Sequence, residues 1–116
     1  MRRLKLLTTL FAACVAISSC GGNRDRFAQA KTLIATNCGA CHSVPGVTGA
    51  TGRVGPPLAG IAVRQIIAGH FANTPNNLVN WIEHPQRLLP GNAMPEMGLS
   101  HEQAQAVASY LYTLDD

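Results

Sequence analysis

Apolar residues recur at helical spacing in the part of the chain that follows residue 24. The stretch from Asp25 to about Asn37 places apolar residues on one face and polar residues on the other, which predicts a helix that runs directly into Cys38. Asp25 is the expected N-cap, because its carboxylate can accept from the free backbone N–H groups of the first turn. The apolar face consists of Phe27, Ala30, Leu33 and Ile34.

Two further helices are predicted in the second half of the chain. Thr74-Pro75 is a start signal, a threonine N-cap followed by proline at the first helical position, and Pro85 should end this helix at the residue before it. The last helix is expected from Ser100 to about Leu114, because a serine followed three positions later by glutamine has the spacing of a capping box. Its apolar stripe is formed by Ala104, Val107, Ala108 and Leu111.

Glycine and proline interrupt the rest of the chain. Residues 43–57 contain four glycines and three prolines, and residues 88–99 include Pro90-Gly91 and Met94-Pro95, so both segments are predicted loops. Between them, residues 58–69 are apolar but interrupted, and we expect a turn or a short helix there, most strongly over residues 63–68. No segment reads convincingly as a strand. The sequence therefore predicts an all-α domain with three main helices and a short one.

The first nineteen residues have the pattern of an export signal. Arg2, Arg3 and Lys5 precede an apolar run that is too short to span a bilayer comfortably. The run ends in Ile17-Ser18-Ser19-Cys20, which resembles a bacterial lipobox and implies cleavage before Cys20 and lipidation of that residue. An ordinary export signal with an incidental cysteine is the alternative. We expect residues 20–24 to be a short tether and residues 25–116 to be the folded domain, lipid-anchored on the periplasmic side of the inner or the outer membrane.

Removal of this leader changes the charge of the protein. The full chain carries nine Lys and Arg residues against six Asp and Glu residues, with a formal charge of +3. Three of the basic residues lie in the leader, so the remaining chain has six of each sign and is formally neutral. Nucleic-acid binding is not expected, because a basic patch is its electrostatic signature.

The segment Cys38-Gly39-Ala40-Cys41-His42 has the C-x-x-C-H pattern that attaches a c-type haem. Each thiol can add to one vinyl group of the porphyrin, and the adjacent imidazole then lies where it can bind iron. A redox dithiol and half of a zinc site are the alternatives. The first would be expected in a βαβ context and the second needs another close ligand pair, and neither appears. We predict one covalent haem, and a haem-free chain that folds poorly.

Other residues are candidates for completing such a site. A carbonyl in Gly55-Pro56-Pro57 could accept from His42 Nδ1, which would fix the tautomer of the ring. Met94 and Met97 compete as a soft second ligand to iron. Arg64 is either a solvated surface residue or the partner of a haem propionate.

These motifs, in this order, resemble class I (mitochondrial-type) cytochrome c. The resemblance covers about residues 25–114 and includes Gly55-Pro56-Pro57-Leu58, Pro90-Gly91-Asn92-Ala93-Met94-Pro95 and Tyr110-Leu111. Residues 55–111 are also similar to cytochrome c domains associated with bacterial haem–copper oxidases. The resemblance implies a small fold wrapped around a covalent haem, with the first and last helices crossing.

The resemblance also implies a role for individual residues. His42 would be the proximal ligand, with Pro56 accepting its Nδ1 proton, and Met94 would be the distal ligand. Asn92 would cap one propionate. Two further residues complete the implied site, namely Arg64 at the other propionate and Trp81 lining the distal side.

The function expected from this site is single-electron transfer in a respiratory chain, without enzymatic activity. A quinol–cytochrome c oxidoreductase or a periplasmic dehydrogenase would donate electrons, and a terminal oxidase would accept them. Two alternatives stay open, a haem-bearing subunit of a periplasmic oxidoreductase and a haem sensor or enzyme with a labile sixth ligand, for which His70, His84 and His101 are possible ligands. The lysines that ring the haem edge in the mitochondrial protein are absent, since Lys31 is the only lysine after the leader. Salt-dependent docking through a lysine ring is therefore not expected.

Overall fold

Four helices and one very short hairpin make up the part of the chain that the computed structural model describes, residues 22–116, with side chains described from Phe27 onward. The helices are α1 (Gly22–Asn37), α2 (Pro75–Glu83), α3 (Pro85–Leu88) and α4 (His101–Leu111). A single-turn 3-10 helix (Ile61–Val63) precedes strands β1 (Ile66–Ile67) and β2 (Phe71–Ala72). The predicted leader and Cys20 lie outside the described residues. Within residues 22–116, no helix is both long and apolar enough to cross a membrane.

The core is formed where α1 packs against α4. Ala30, Ile34 and Val107 are almost completely buried, as the predicted apolar faces require. The ring of Phe27 meets that of Tyr110 edge to face, with centroids 5.9 Å apart. These contacts confirm the crossing of the first and last helices that the family resemblance implies.

The first helix begins earlier than the sequence predicts. It starts at Gly22, so Asp25 lies inside it and the assignment of Asp25 as N-cap is wrong. Glycine and asparagine are accepted at helix starts. Gly22-Asn23-Arg24 therefore does not stop the helix, which extends into the segment predicted as a tether.

The second and last helices have the predicted start signals. The Thr74 side chain accepts from Asn77 N at 3.2 Å. Ser100 and Gln103 form a complete capping box, and α4 ends at Leu111 rather than Leu114. Pro85 ends α2 as expected. It also occupies the first position of α3, a short helix that the sequence does not predict, because a proline can start a helix as well as stop one.

The segment between residues 58 and 72 differs from the prediction. A helix over residues 63–68 is not formed, and the backbone makes an antiparallel hairpin with Ile66 opposite Ala72 and Ile67 opposite Phe71. The turn uses left-handed backbone at Ala68 (φ 51°) and Gly69 (φ 70°), which a right-handed helix cannot contain. The expectation of no strands is therefore wrong for these four residues, although the fold remains predominantly helical.

Candidate haem site

A cavity of about 580 Å³ lies between the end of α1, helices α2 and α4, and the two predicted loops. Its walls are largely apolar. Cys38, Cys41 and His42 line one part of it, and Met94 and Met97 line another. The remaining apolar wall is supplied mainly by Leu78, Ile82, Val107 and Leu111.

The C-x-x-C-H motif forms a hydrogen-bonded turn directly after α1, which ends at Asn37. Cys38 N donates to Ile34 O at 2.8 Å, and His42 N donates to Cys38 O at 2.8 Å. This turn places both thiols and the imidazole along the same cavity. The spacing of the motif and the geometry of the helix together determine the arrangement.

The environment of Cys38 does not suit a redox dithiol. Burial, and to a smaller extent the neighbouring Cys41 charge, raises the pKa of the Cys38 thiol to about 11. Reactive dithiols need a lowered pKa, because the thiolate is the nucleophile. Thiol exchange through Cys38 is therefore disfavoured.

The His42 ring is held by the Gly55-Pro56 segment. Its Nδ1 lies 2.7 Å from Pro56 O, as the sequence predicts. A carbonyl oxygen only accepts hydrogen bonds, so Nδ1 carries the proton and Nε2 retains a lone pair for a metal.

Gly55 is needed for the close approach of this segment to the ring. A Cβ atom at residue 55 would lie 2.7 Å from Nδ1 and 2.9 Å from Nε2 of His42. This role of Gly55 was not predicted from the sequence, although the glycine preceding two prolines was its signal.

Arg64 and Trp81 both line the cavity. Arg64 Nη2 donates to Pro57 O at 2.6 Å and to Ala59 O at 2.9 Å, so the guanidinium also braces the first loop. The Trp81 ring packs against Phe71 of the hairpin, with centroids 6.0 Å apart.

Asn92 lines the cavity, and its side-chain amide makes hydrogen bonds to the backbone of its own loop and of α3. Its Nδ2 donates to Pro85 O at 2.9 Å and to Leu89 O at 2.7 Å, and its Oδ1 accepts from Met94 N at 2.7 Å. A side-chain amide has only two N–H hydrogens, and both are used. These contacts shape the loop that carries Met94, and the role of Asn92 in capping a propionate stays a prediction.

Of the three histidines considered as alternative ligands, one lines the cavity and two do not. His70 lines the cavity from an exposed position in the hairpin turn. His101 pairs with Glu83 at 3.0 Å and His84 lies 3.8 Å from Glu96, and neither histidine lines the cavity.

Comparison with known proteins identifies the family. Residues 27–115 match the family model described as Cytochrome c. The chain belongs to the cytochrome c family.

In two of the relatives found, the region that matches this chain is a part of a longer protein. Cytochrome c oxidase subunit 2 from Alkalihalophilus pseudofirmus is 38% identical over 67% of this chain and 22% of the relative. The same-named protein from Bacillus sp. strain PS3 is 31% identical over 74% of this chain and 25% of the relative. The chain thus spans about a quarter of these oxidase subunits.

A third relative is similar in size to this chain. Cytochrome c2 from Rhodopila globiformis is 34% identical over 74% of this chain and 91% of the relative. Because the chain is a family member, its cofactor is covalently bound haem c. The residues fit that cofactor, since two thiols one turn apart, an imidazole with an available Nε2 and two thioethers surround an apolar cavity.

We predict that Gly55→Ala displaces the His42 ring. Overpacking of this kind lowers the free energy of unfolding by about 1–3 kcal/mol. We also expect a shifted midpoint potential, because the imidazole can no longer keep both its place in the cavity and its hydrogen bond to Pro56. Denaturant unfolding and spectroelectrochemistry of the purified holoprotein measure both quantities.

Gly49→Ala is the matched control for this substitution. Gly49 has φ 84° and no heavy atom within 4 Å of the position that a Cβ would take, so alanine there adds only backbone strain of about 1–2 kcal/mol. Its midpoint potential should stay at the wild-type value. The same potential in wild type and in Gly55→Ala would show that Gly55 does not position His42.

Proposed function

We propose that this cytochrome is an exported, membrane-anchored carrier that transfers single electrons through a haem ligated by His42 and Met94. Its acceptor in this proposal is a terminal oxidase. One observation supports this ligation. The same cavity is lined by the His42 imidazole, whose tautomer is fixed by Pro56 O, and by Met94, whose backbone N–H and C=O are both hydrogen-bonded to side chains. When bound, the haem supplies a reversible one-electron change at iron.

Met94 is a better candidate than Met97 for the distal ligand. Met94 N donates to Asn92 Oδ1 at 2.7 Å, and Met94 O accepts from Gln86 Nε2 at 2.7 Å. Such restraint favours a ligand, because a site is most precise when its supporting groups fix its geometry. Met97 precedes Gly98, and the described residues show no comparable pair of hydrogen bonds at Met97.

Two protein ligands would leave no open position for a substrate at iron. This arrangement suits electron transfer and supports a carrier over a sensor with a labile ligand. Arg64 is the proposed partner of a propionate, since it lines the cavity and its guanidinium has N–H donors beyond the Nη2 group that contacts Pro57 O and Ala59 O. Trp81 is proposed to form part of the apolar wall.

The proposed contact with redox partners is the exposed rim of the cavity. Val54 and Ile66 both line the cavity, and 78% of Val54 and 51% of Ile66 are exposed to solvent. Lys31 lies away from this rim, 5.5 Å from the centroid of the Tyr110 ring. An apolar rim of this kind would dock by surface burial more than by charge attraction.

The relatives support an oxidase as electron acceptor, since two of them are named as subunits of cytochrome c oxidase. The electron donor in this proposal is a quinol–cytochrome c oxidoreductase or a periplasmic dehydrogenase. Because similar domains occur within larger subunits, a second candidate is a haem-bearing subunit held permanently in an oxidoreductase complex. The anchor and the periplasmic location rest on the sequence of residues 1–20.

The ligation is tested by the near-infrared methionine-to-iron charge-transfer band of the oxidised protein. We expect Met94→Ala to abolish the band, because it removes the thioether ligand. Met97→Ala is the matched control and should retain it. Loss of the band in Met97→Ala alone would overturn the assignment of Met94.

The anchor is tested by the intact mass of the purified protein. We expect a chain of residues 20–116 that carries both haem and lipid, with the lipid lost in Cys20→Ala. Cys14→Ala changes the other cysteine of the leader and should leave the lipid in place. A lipid-free wild-type protein would contradict the anchor without affecting the haem site.

The partner is tested by oxidation of the reduced protein with oxidase-containing membranes. We expect cyanide-sensitive oxidation whose rate falls by less than about threefold between low and physiological salt, because screening weakens only charge-based docking. A rate that collapses with salt would contradict docking through the apolar rim.

A further inference from the structure

One residue of α3, Gln86, makes hydrogen bonds to four residues along the loop that carries Met94, three through its side chain and one through its backbone N–H. Gln86 Nε2 donates to Asn92 O at 2.8 Å and to Met94 O at 2.7 Å. Gln86 Oε1 accepts from Gly91 N at 3.1 Å. The backbone N–H of Gln86 donates to Glu96 Oε1 at 3.0 Å, which ties down the loop beyond Met94.

These contacts use the whole hydrogen-bonding capacity of the Gln86 amide donors. Both Nε2 hydrogens go to loop carbonyls, and one lone pair of Oε1 receives a loop N–H. The side chain is half-buried beside a loop without regular structure, so it supplies backbone partners that no regular element provides there. Asn92 restrains the loop from within, whereas Gln86 restrains it from a separate helix.

We propose that Gln86 is a positioning residue that holds Met94 against the haem by clamping its loop to α3. This inference rests on the proposed ligation of iron by Met94. A thioether is a neutral ligand that a stronger exogenous base can displace once the loop moves away. The clamp raises the free energy of the state in which the loop is displaced, so its removal should make the sixth position easier to occupy.

The test is a titration of the oxidised holoprotein with imidazole, followed by the change in the haem Soret absorption, which can be measured with and without Met94; loss of the near-infrared band is a second readout where Met94 is present. We expect Gln86→Ala to bind imidazole about tenfold more tightly than wild type, as follows from losing part-buried hydrogen bonds. Gln86→Glu loses the donors and places a carboxylate next to two carbonyls and Glu96, so its effect should be at least as large. If Gln86→Ala fails to fold, the imidazole affinity of Gln86→Glu tests the same proposal.

Arg87→Ala is the matched control within the same short helix. Arg87 is exposed, and its side chain makes no hydrogen bond to another described residue. Its affinity for imidazole should equal that of wild type. An equal rise in Arg87→Ala and Gln86→Ala would show a general loosening of α3 and would overturn the clamp.

A double-mutant cycle with Met94→Ala separates this inference from the ligation on which it rests. In the Met94→Ala protein there is no thioether to displace, so Gln86→Ala should no longer change the affinity for imidazole. An equal increase with and without Met94 would mean that Gln86 controls access to the cavity, and the clamp would be wrong. Unchanged affinity in Gln86→Ala, with the band lost in Met94→Ala, would overturn the clamp and leave the ligation standing. A band that persists in Met94→Ala would overturn both.

Discussion

This small protein depends on enclosing an apolar group that is larger than any of the protein's side chains. The cavity of about 580 Å³ takes its walls from residues that also form the core, including Leu78, Val107 and Leu111. The core and the cofactor site are therefore one structure. A domain of this size buries a modest fraction of its surface, so an apolar cofactor covalently held at its centre adds burial that the chain alone does not supply.

The loops around the cavity rely on single side chains that donate hydrogen bonds to backbone carbonyls. Tyr110 of α4 donates to Pro45 O at 2.7 Å, and burial raises the pKa of its phenol. Arg64 donates to Pro57 O and Ala59 O, and Gln86 donates to Met94 O in the loop that carries this methionine. Irregular backbone near an apolar cavity needs such partners, because water cannot satisfy all of its polar groups there.

Local patterns allowed prediction of most of the fold and of the attachment motif. Helical periodicity, the threonine cap and the serine–glutamine capping box depend on near neighbours, and the three main helices follow from them. The His42 contact with Pro56 was also predictable, since a glycine–proline loop must pass close to a ligating imidazole.

The errors lie where distant residues decide the outcome. The hairpin at residues 66–72 depends on left-handed backbone at Ala68, which alanine does not signal. The contacts of Asn92 within its loop could not be predicted, because its amide groups bond to Pro85, Leu89 and Met94, and only the folded loop brings these together. Gln86 was missed for the same reason, since a glutamine beside a proline has no recognisable pattern of its own.

The dependence of the fold on its cofactor is tested most directly by unfolding the chain without haem. The double variant Cys38→Ala/Cys41→Ala cannot attach the porphyrin, and its urea unfolding can be followed by far-ultraviolet circular dichroism beside that of the holoprotein. A single cooperative transition is expected for the holoprotein, and a shallow, non-cooperative loss of helix for the variant. A cooperative, native-like transition in the haem-free variant would contradict the account, because it would show that the side chains alone build the core.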